Sequence, residues 1–184
     1  MPRRTFDMLL TSVGVMLTAF LLLAGVMLMW GSNFANTNVE DQLRAQKIFF
    51  PPAGPATESP DIGPFINKYA GQQLLNGQQA EAYANHFIAP HLKNAAGGKT
   101  YAEASAASRA APDDPSLKAA VDTLFRGETL RGLLLNAYAF WKLGQIARIG
   151  SLVSLAFAIV MAVLSILGLW HWRRVSGGEK LITT

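Results

Sequence analysis

Two stretches of the chain, Met8–Trp30 and Ile149–Trp170, contain no Asp, Glu, Lys, Arg or His. Each runs for about 22 residues, and a helix of about 20 apolar residues spans a hydrocarbon core of roughly 30 Å. The seven Leu, three Val and one Phe of the first stretch would together favour insertion by roughly 3–6 kcal/mol near a bilayer centre. Both stretches read as membrane-spanning helices rather than as buried helices of a water-soluble core. Arg3 and Arg4 ahead of the first also fit a secretion signal. A signal's apolar core is only about 7–15 residues and ends in small residues, whereas this one closes on Met27-Leu28-Met29-Trp30. Retention as an anchor is the expectation.

Between the two stretches the pattern turns amphipathic. Phe34, Val39, Leu43 and Ile48 recur at helical spacing among Asn36, Asn38, Glu40, Asp41 and Arg44, so the first span continues as a polar stalk. It stops at Phe49-Phe50-Pro51-Pro52, and Pro51, Pro52, Gly54, Pro55, Pro60, Gly63 and Pro64 make residues 50–63 an extended, surface-running connector. Phe49 and Phe50 there either pack where the chain turns or form a docking epitope. Pro64 suits the first turn of a helix carrying Phe65, Ile66, Tyr69, Leu74 and Leu75 and ending at Asn76-Gly77. A second helix over 78–94 presents Tyr83, Ala84, Phe87, Ile88 and Leu92 until Gly97-Gly98.

Thr100 and Glu103 form a capping box that predicts an Ala-rich helix to residue 110. After Pro112-Asp113-Asp114-Pro115, Asp114 caps a last helix whose face is Leu117, Val121, Leu124 and Phe125. No proline occurs from Ser116 through Trp172, so one helix or two nearly collinear ones carry the chain into the second span, with Gly127, Gly132 and Gly144 as possible kinks. Leu133–Trp141 is apolar on nearly all sides and too short to cross a bilayer, so it should be packed against other helices, a partner's or its own, or lie at the lipid surface.

The fold class is therefore all-α, with two transmembrane helices flanking a helical extracytoplasmic domain and extended as stalks. Residues 1–7 and 173–184 are expected in the cytoplasm, 8–30 and 149–172 in the plasma membrane, and 31–148 outside. Arg3 and Arg4 at one end and Arg173, Arg174 and Lys180 at the other follow the positive-inside bias. Lys142 and Arg148 fall on the outer side, but the 118-residue segment between the spans exceeds the roughly 60 residues over which charge counts. Trp30, Trp170 and Trp172 suit interfacial belts.

The net charge of +4 does not indicate nucleic acid, because the middle segment holds 11 Lys or Arg against 10 Asp or Glu and the excess lies in the tails. There it favours anionic lipid by about 1 kcal/mol per cation. Zero cysteines exclude disulfides, thiolate chemistry and Cys-ligated metals. His86 and His91 are five residues apart with Pro90 between them, not at the i, i+4 spacing of a metal pair. With Glu81 they make only a nominal two-His, one-carboxylate set. No catalytic signature stands out, and spans without ionisable groups argue against a carrier or channel. Neither cofactor nor metal is expected.

The spans offer packing instead. Gly150, Ser154, Ala158 and Ala162 fall four residues apart, extended by Ser165 and Gly168, and Gly14 with Thr18 repeats the relation in the first span. This ridge is a contact face for the first span or for a foreign helix.

Several local motifs resemble a family of short actinobacterial membrane proteins over most of the chain. They are Asn33-Phe34-Ala35-Asn36, Asp41-Gln42-Leu43, Phe50-Pro51-Pro52-Ala53-Gly54, Lys68-Tyr69-Ala70-Gly71-Gln72, Gly98-Lys99-Thr100-Tyr101 and Thr123-Leu124-Phe125-Arg126-Gly127-Glu128-Thr129-Leu130-Arg131-Gly132-Leu133-Leu134. The resemblance implies a topology and an organism group, not a biochemistry. The label aromatic ring-opening dioxygenase attached to such proteins gains no support from the His and Glu inventory. The expectation is a non-catalytic accessory, assembly or scaffold subunit of a larger membrane complex, respiratory or envelope-transport. Its partners would be other integral membrane subunits or copies of itself, and the bilayer. Gly150, Ser154, Ala158 and Ala162 would pack in the membrane, and Leu134, Tyr138 and Trp141 would dock outside, with Phe49 and Phe50 as further contact candidates. The alternative is a homo-oligomer with a ligand-binding or sensing outer domain.

Overall fold

Helical spacing of apolar residues, local caps and few breakers give an all-α chain, 83% helical and without a strand among the described residues. The computed structural model describes residues 3–174. Lys180 and the rest of the expected tail from 175 to 184 lie outside the described residues, as do Met1 and Pro2. Helix α1, Arg3–Gln46, and helix α6, Pro115–Arg174, each contain one of the uncharged stretches. At window mean hydropathies of 2.3 and 2.7, both are long and apolar enough to cross a membrane. Helix α6 is continuous over 60 residues, so none of its glycines breaks it.

The chain divides into two compact units, one made from both ends (up to Asn33 and from Gly144) and one formed by Phe34–Leu143. In the first, α1 and α6 run antiparallel, with Thr11 opposite Gly168, Gly14 opposite Ser165 and Gly25 opposite Ser151. Their buried residues are small or hydroxylated: Thr11, Ser151, Ala158 and Ser165. The large side chains turn outward, with Leu10, Met16, Phe20, Ile159 and Ile166 each more than 60% exposed.

The second unit has its own core of Val39 and Leu43 from α1, Phe50, Ile62, Ile66, Leu74, Ala80, Ala84, Ile88, Leu92, Ala104, and Leu124 and Leu134 from α6. Phe50 is its aromatic centre, 5.0 Å from the Tyr69 ring and 5.2 Å edge-on from Tyr83. The 50–63 connector is more structured than its prolines predict. Thr57 is 1% exposed, and its hydroxyl donates to the Gly54 carbonyl at 3.1 Å, closing the 3-10 turn Pro55–Thr57.

The helix expected from Pro64 to Asn76 is cut short. Helix α2 covers only Gly63–Ile66, a 3-10 turn follows over Asn67–Tyr69, and Gly71 adopts a left-handed φ of 71°. Residues 72–74 then stay extended beside 48–50, with Phe50 N–H donating to Gln72 O at 2.9 Å and Leu74 N–H to Ile48 O at 2.9 Å. Buried backbone around Phe50 needs partners, and this pairing supplies them. Asn76 consequently starts a helix instead of ending one. Its side chain accepts from Gln79 N–H at 3.0 Å while Gln79 Oε1 accepts from Asn76 N–H at 3.2 Å, a reciprocal cap on α3, Gly77–Tyr83.

The expected helix over 78–94 is present with a π turn, Ala84–Ile88, between α3 and α4, Ala89–Ala95. Ala89 N–H reaches back five residues to Ala84 O. Pro90 has no N–H and in a regular helix its ring would press on the His86 carbonyl; a widened turn relieves that clash. Gly97 and Gly98, with φ of 60° and 81°, reverse the chain into α5, Tyr101–Ala110. Its capping box forms as read, with Thr100 N–H donating to Glu103 Oε2 at 2.7 Å and Glu103 N–H to Thr100 Oγ at 3.3 Å. Asp114 caps α6 by accepting from Ser116 N–H at 2.8 Å.

Candidate interaction surfaces

In the first unit two hydroxyls of α6 donate across the seam to backbone of α1: Ser151 Oγ to Gly25 O at 2.7 Å and Ser154 Oγ to Leu21 O at 2.8 Å. The helices touch so closely that a methyl group on Gly14 would lie 2.6 Å from Ser165 Oγ, and one on Gly168 would lie 2.7 Å from Thr11 Oγ. Of the row Gly150, Ser154, Ala158 and Ala162, only Ala158 is fully buried, at 1% exposure. The other three are half-covered, Gly150 lying against Leu28. A strict four-residue row drifts around a helix, whereas the buried residues Gly144, Ser151, Ala158 and Ser165 recur every seven residues. That is the period at which two α-helices stay in register. The ridge is thus turned toward the chain's own first helix.

In the second unit Leu134, at 1% exposure, belongs to the core. Trp141 packs over Gly77, where its ring and Cβ occupy the space a Gly77 side chain would need. Tyr138 stacks on Trp141 with ring centroids 6.2 Å apart. Phe50 is buried, and Phe49 beside it stays 55% exposed. The outward face of this part of α6 is instead Leu133, Phe140 and Leu143, at 59%, 40% and 62% exposure. Leu133 and Phe140 border a groove of about 280 Å³ with an apolar floor of Val39, Leu43 and Leu134. Its rim carries Asn38, Gln42, Gln46 and Asn136, four carboxamides and no charge.

The nominal metal set is otherwise engaged. Glu81 accepts from Asn85 Nδ2 at 3.0 Å, His86 stacks flat on Phe65 at 3.6 Å, and His91 Nδ1 lies 2.6 Å from Phe87 O. Among the described residues no three His, Cys, Asp or Glu come together as a metal-holding group. Arg131 of α6 reaches across to Asn85 Oδ1 at 3.2 Å and pairs with Glu128 at 3.2 Å. A wider cleft of this unit, about 560 Å³, is bordered by Lys93, Lys99, Arg131, Glu128 and Tyr101. Its cations are partly answered: Arg131 by Glu128, and Lys99 by Glu103. Hydrogen bonds from Thr100 backbone and side chain hold the Glu103 carboxyl below the usual carboxylate range, with Lys99 adding to them. Burial pushes the Tyr83 hydroxyl above its ordinary value.

No family model, curated protein or solved structure matches the chain. Geometry and surface chemistry therefore carry the functional reading.

Sequence reasoning missed four contacts. The paired carbonyl acceptors of Gly25 and Leu21 carry no side-chain signal. The Arg131–Asn85 bond joins residues 46 apart in sequence. The fit of Gly77 under Trp141 was open only to the extent that Gly77 is the smallest residue in a helix start.

Proposed function

We propose that this chain is an integral membrane protein with two spans, both ends in the cytoplasm and the Phe34–Leu143 unit outside, acting as a non-catalytic accessory or scaffold subunit of a larger plasma-membrane complex. One observation carries the reading. The first unit buries small and hydroxylated residues between its helices and turns Leu, Ile, Val, Phe and Met outward around the pair, an apolar surface far larger than water-soluble monomers carry. Lipid solvates such a belt, and every backbone group inside it is satisfied within a helix. The arginines at the start of α1 and at the end of α6 favour the cytoplasm for both ends.

The accessory role draws on the second unit. Leu133, Phe140 and Leu143 form an exposed apolar stripe beside a groove rimmed by uncharged amides, the apolar centre and polar margin typical of protein interfaces. A homo-oligomer built on the same stripe is the second reading.

Alkaline washing of membranes should leave the protein in the pellet, and a tag inserted near residue 90 should be reached only from outside the cell. Native mass measurement after gentle extraction is expected to give a complex with foreign subunits. A homomeric multiple would favour the second reading, and a stable monomer would remove both.

A further inference from the structure

We infer that the open end of the helical pair, where α1 begins and α6 finishes, holds one anionic phospholipid. The inference rests on the membrane reading above. A groove of about 390 Å³ runs there along one side of the seam, walled by Met8, Val15, Met16, Leu169 and Trp172. It exists because the helices meet through Thr11, Gly14, Ser165 and Gly168, which are too small to fill the flank of the seam. Further along, Leu155 packs against Gly25 and fills the equivalent space. From Met8 to Met16 the wall offers about 12 Å of helix, a fit for most of an acyl chain.

The mouth of the groove differs chemically from its body. The Arg4 guanidinium lies 5.2 Å over the ring of Trp172, which walls the groove, whereas Arg174 lies 3.7 Å over Trp170, which does not line it. Stacking holds a guanidinium plane while leaving its N–H edges free, the presentation that suits a phosphate. Arg4, Arg173 and Arg174 are all exposed. Among the described residues the opposing carboxylate is Asp7, which is covered to 18% exposure and faces His171 at 3.9 Å. Among the described residues the outward charge beside the groove is therefore that of Arg4, and the body is mainly apolar. An apolar protein helix in this groove would leave Arg4 without a counter-charge; a phospholipid with a net negative headgroup satisfies both ends.

The test reconstitutes the full chain into nanodiscs of equal phosphatidylglycerol and phosphatidylcholine, then counts lipids retained through detergent stripping by native mass spectrometry. Wild type is expected to keep one phosphatidylglycerol. Arg4→Gln should cut its preference over phosphatidylcholine about fivefold. Val15→Trp, which fills the groove from an exposed position without touching the seam, should abolish retention of either lipid. Equal retention of both lipids by wild type would overturn the headgroup assignment. Retention unchanged by Val15→Trp, or no retained lipid at all, would overturn the site. Loss of the protein from membranes on alkaline washing would remove the membrane reading itself, an outcome read in a separate assay.

Discussion

A methyl group at position 77 would overlap the Trp141 side chain. Gly77→Ala is therefore expected to destabilise the Phe34–Leu143 unit by about 1–3 kcal/mol, the usual cost of overpacking, seen as a lowered thermal midpoint. If the midpoint does not move, the close approach of α3 and α6 is not as tight as described. Glu103 gives a prediction in pH. Its folded-state carboxyl titrates below the ordinary range because the charged form accepts hydrogen bonds from Thr100. Its contribution is complete above the ordinary carboxylate pKa and lost as pH falls through the lowered one. Amide exchange in 101–110 should accelerate in that acidic window for wild type, and Glu103→Gln should show little pH response there. The Thr100–Glu103 cap was legible in the sequence because all its atoms lie within four residues. Asn76 was not, because whether it ends one helix or begins another depends on the backbone demands of Phe50, 26 positions away.

At the scale of elements, the pairing of α1 with α6 depends on hydroxyl donors and on missing side chains. Ser151→Ala with Ser154→Ala removes both cross-helix bonds, each worth about 0.6–1 kcal/mol in a membrane, and should weaken the helical pair by roughly 1–2 kcal/mol in a steric-trapping measurement. Ala158→Leu at a fully covered position should cost more, and it should do so without a partner subunit present. Insensitivity of the isolated chain to Ala158→Leu would mean that the small face awaits a foreign helix. The sequence exposed the small residues but not their phase, since a four-residue row and a seven-residue row share Ala158. The π turn before Pro90 was equally hidden: a proline signals a disturbance, while the way the chain absorbs it is set by the packing of Ile88 and Leu92 into the core.

For the whole molecule, the outward stripe on α6 makes the sharpest demand. Leu133→Glu combined with Phe140→Glu changes two exposed side chains outside the core, so helicity and thermal midpoint should stay near wild type while the native mass drops to that of a single chain. A drop in midpoint with the mass unchanged would assign the stripe to folding instead of assembly. The all-α class and the two long apolar helices followed from composition and spacing alone. Which residues of Leu133–Trp141 face outward did not, because a segment apolar on nearly all sides carries no phase of its own. Only the core contributed by α1, Phe50 and α3 turns Leu134 inward and leaves Leu133 facing out.

The self-contained bonding of α1 bears on how such a chain is made. Thr11, Ser12 and Thr18 donate their hydroxyls to carbonyls four residues earlier in the same helix, whereas Ser151 and Ser154 donate to the other helix. A ribosome finishing Trp30 has about 120 residues to add before Ser151 emerges, on the order of ten seconds at roughly 5–20 residues per second. Through that delay the hydroxyls of Thr11, Ser12 and Thr18 are already bonded within the early helix, which can reside alone in lipid. The late helix arrives bringing the hydroxyls that lock onto it.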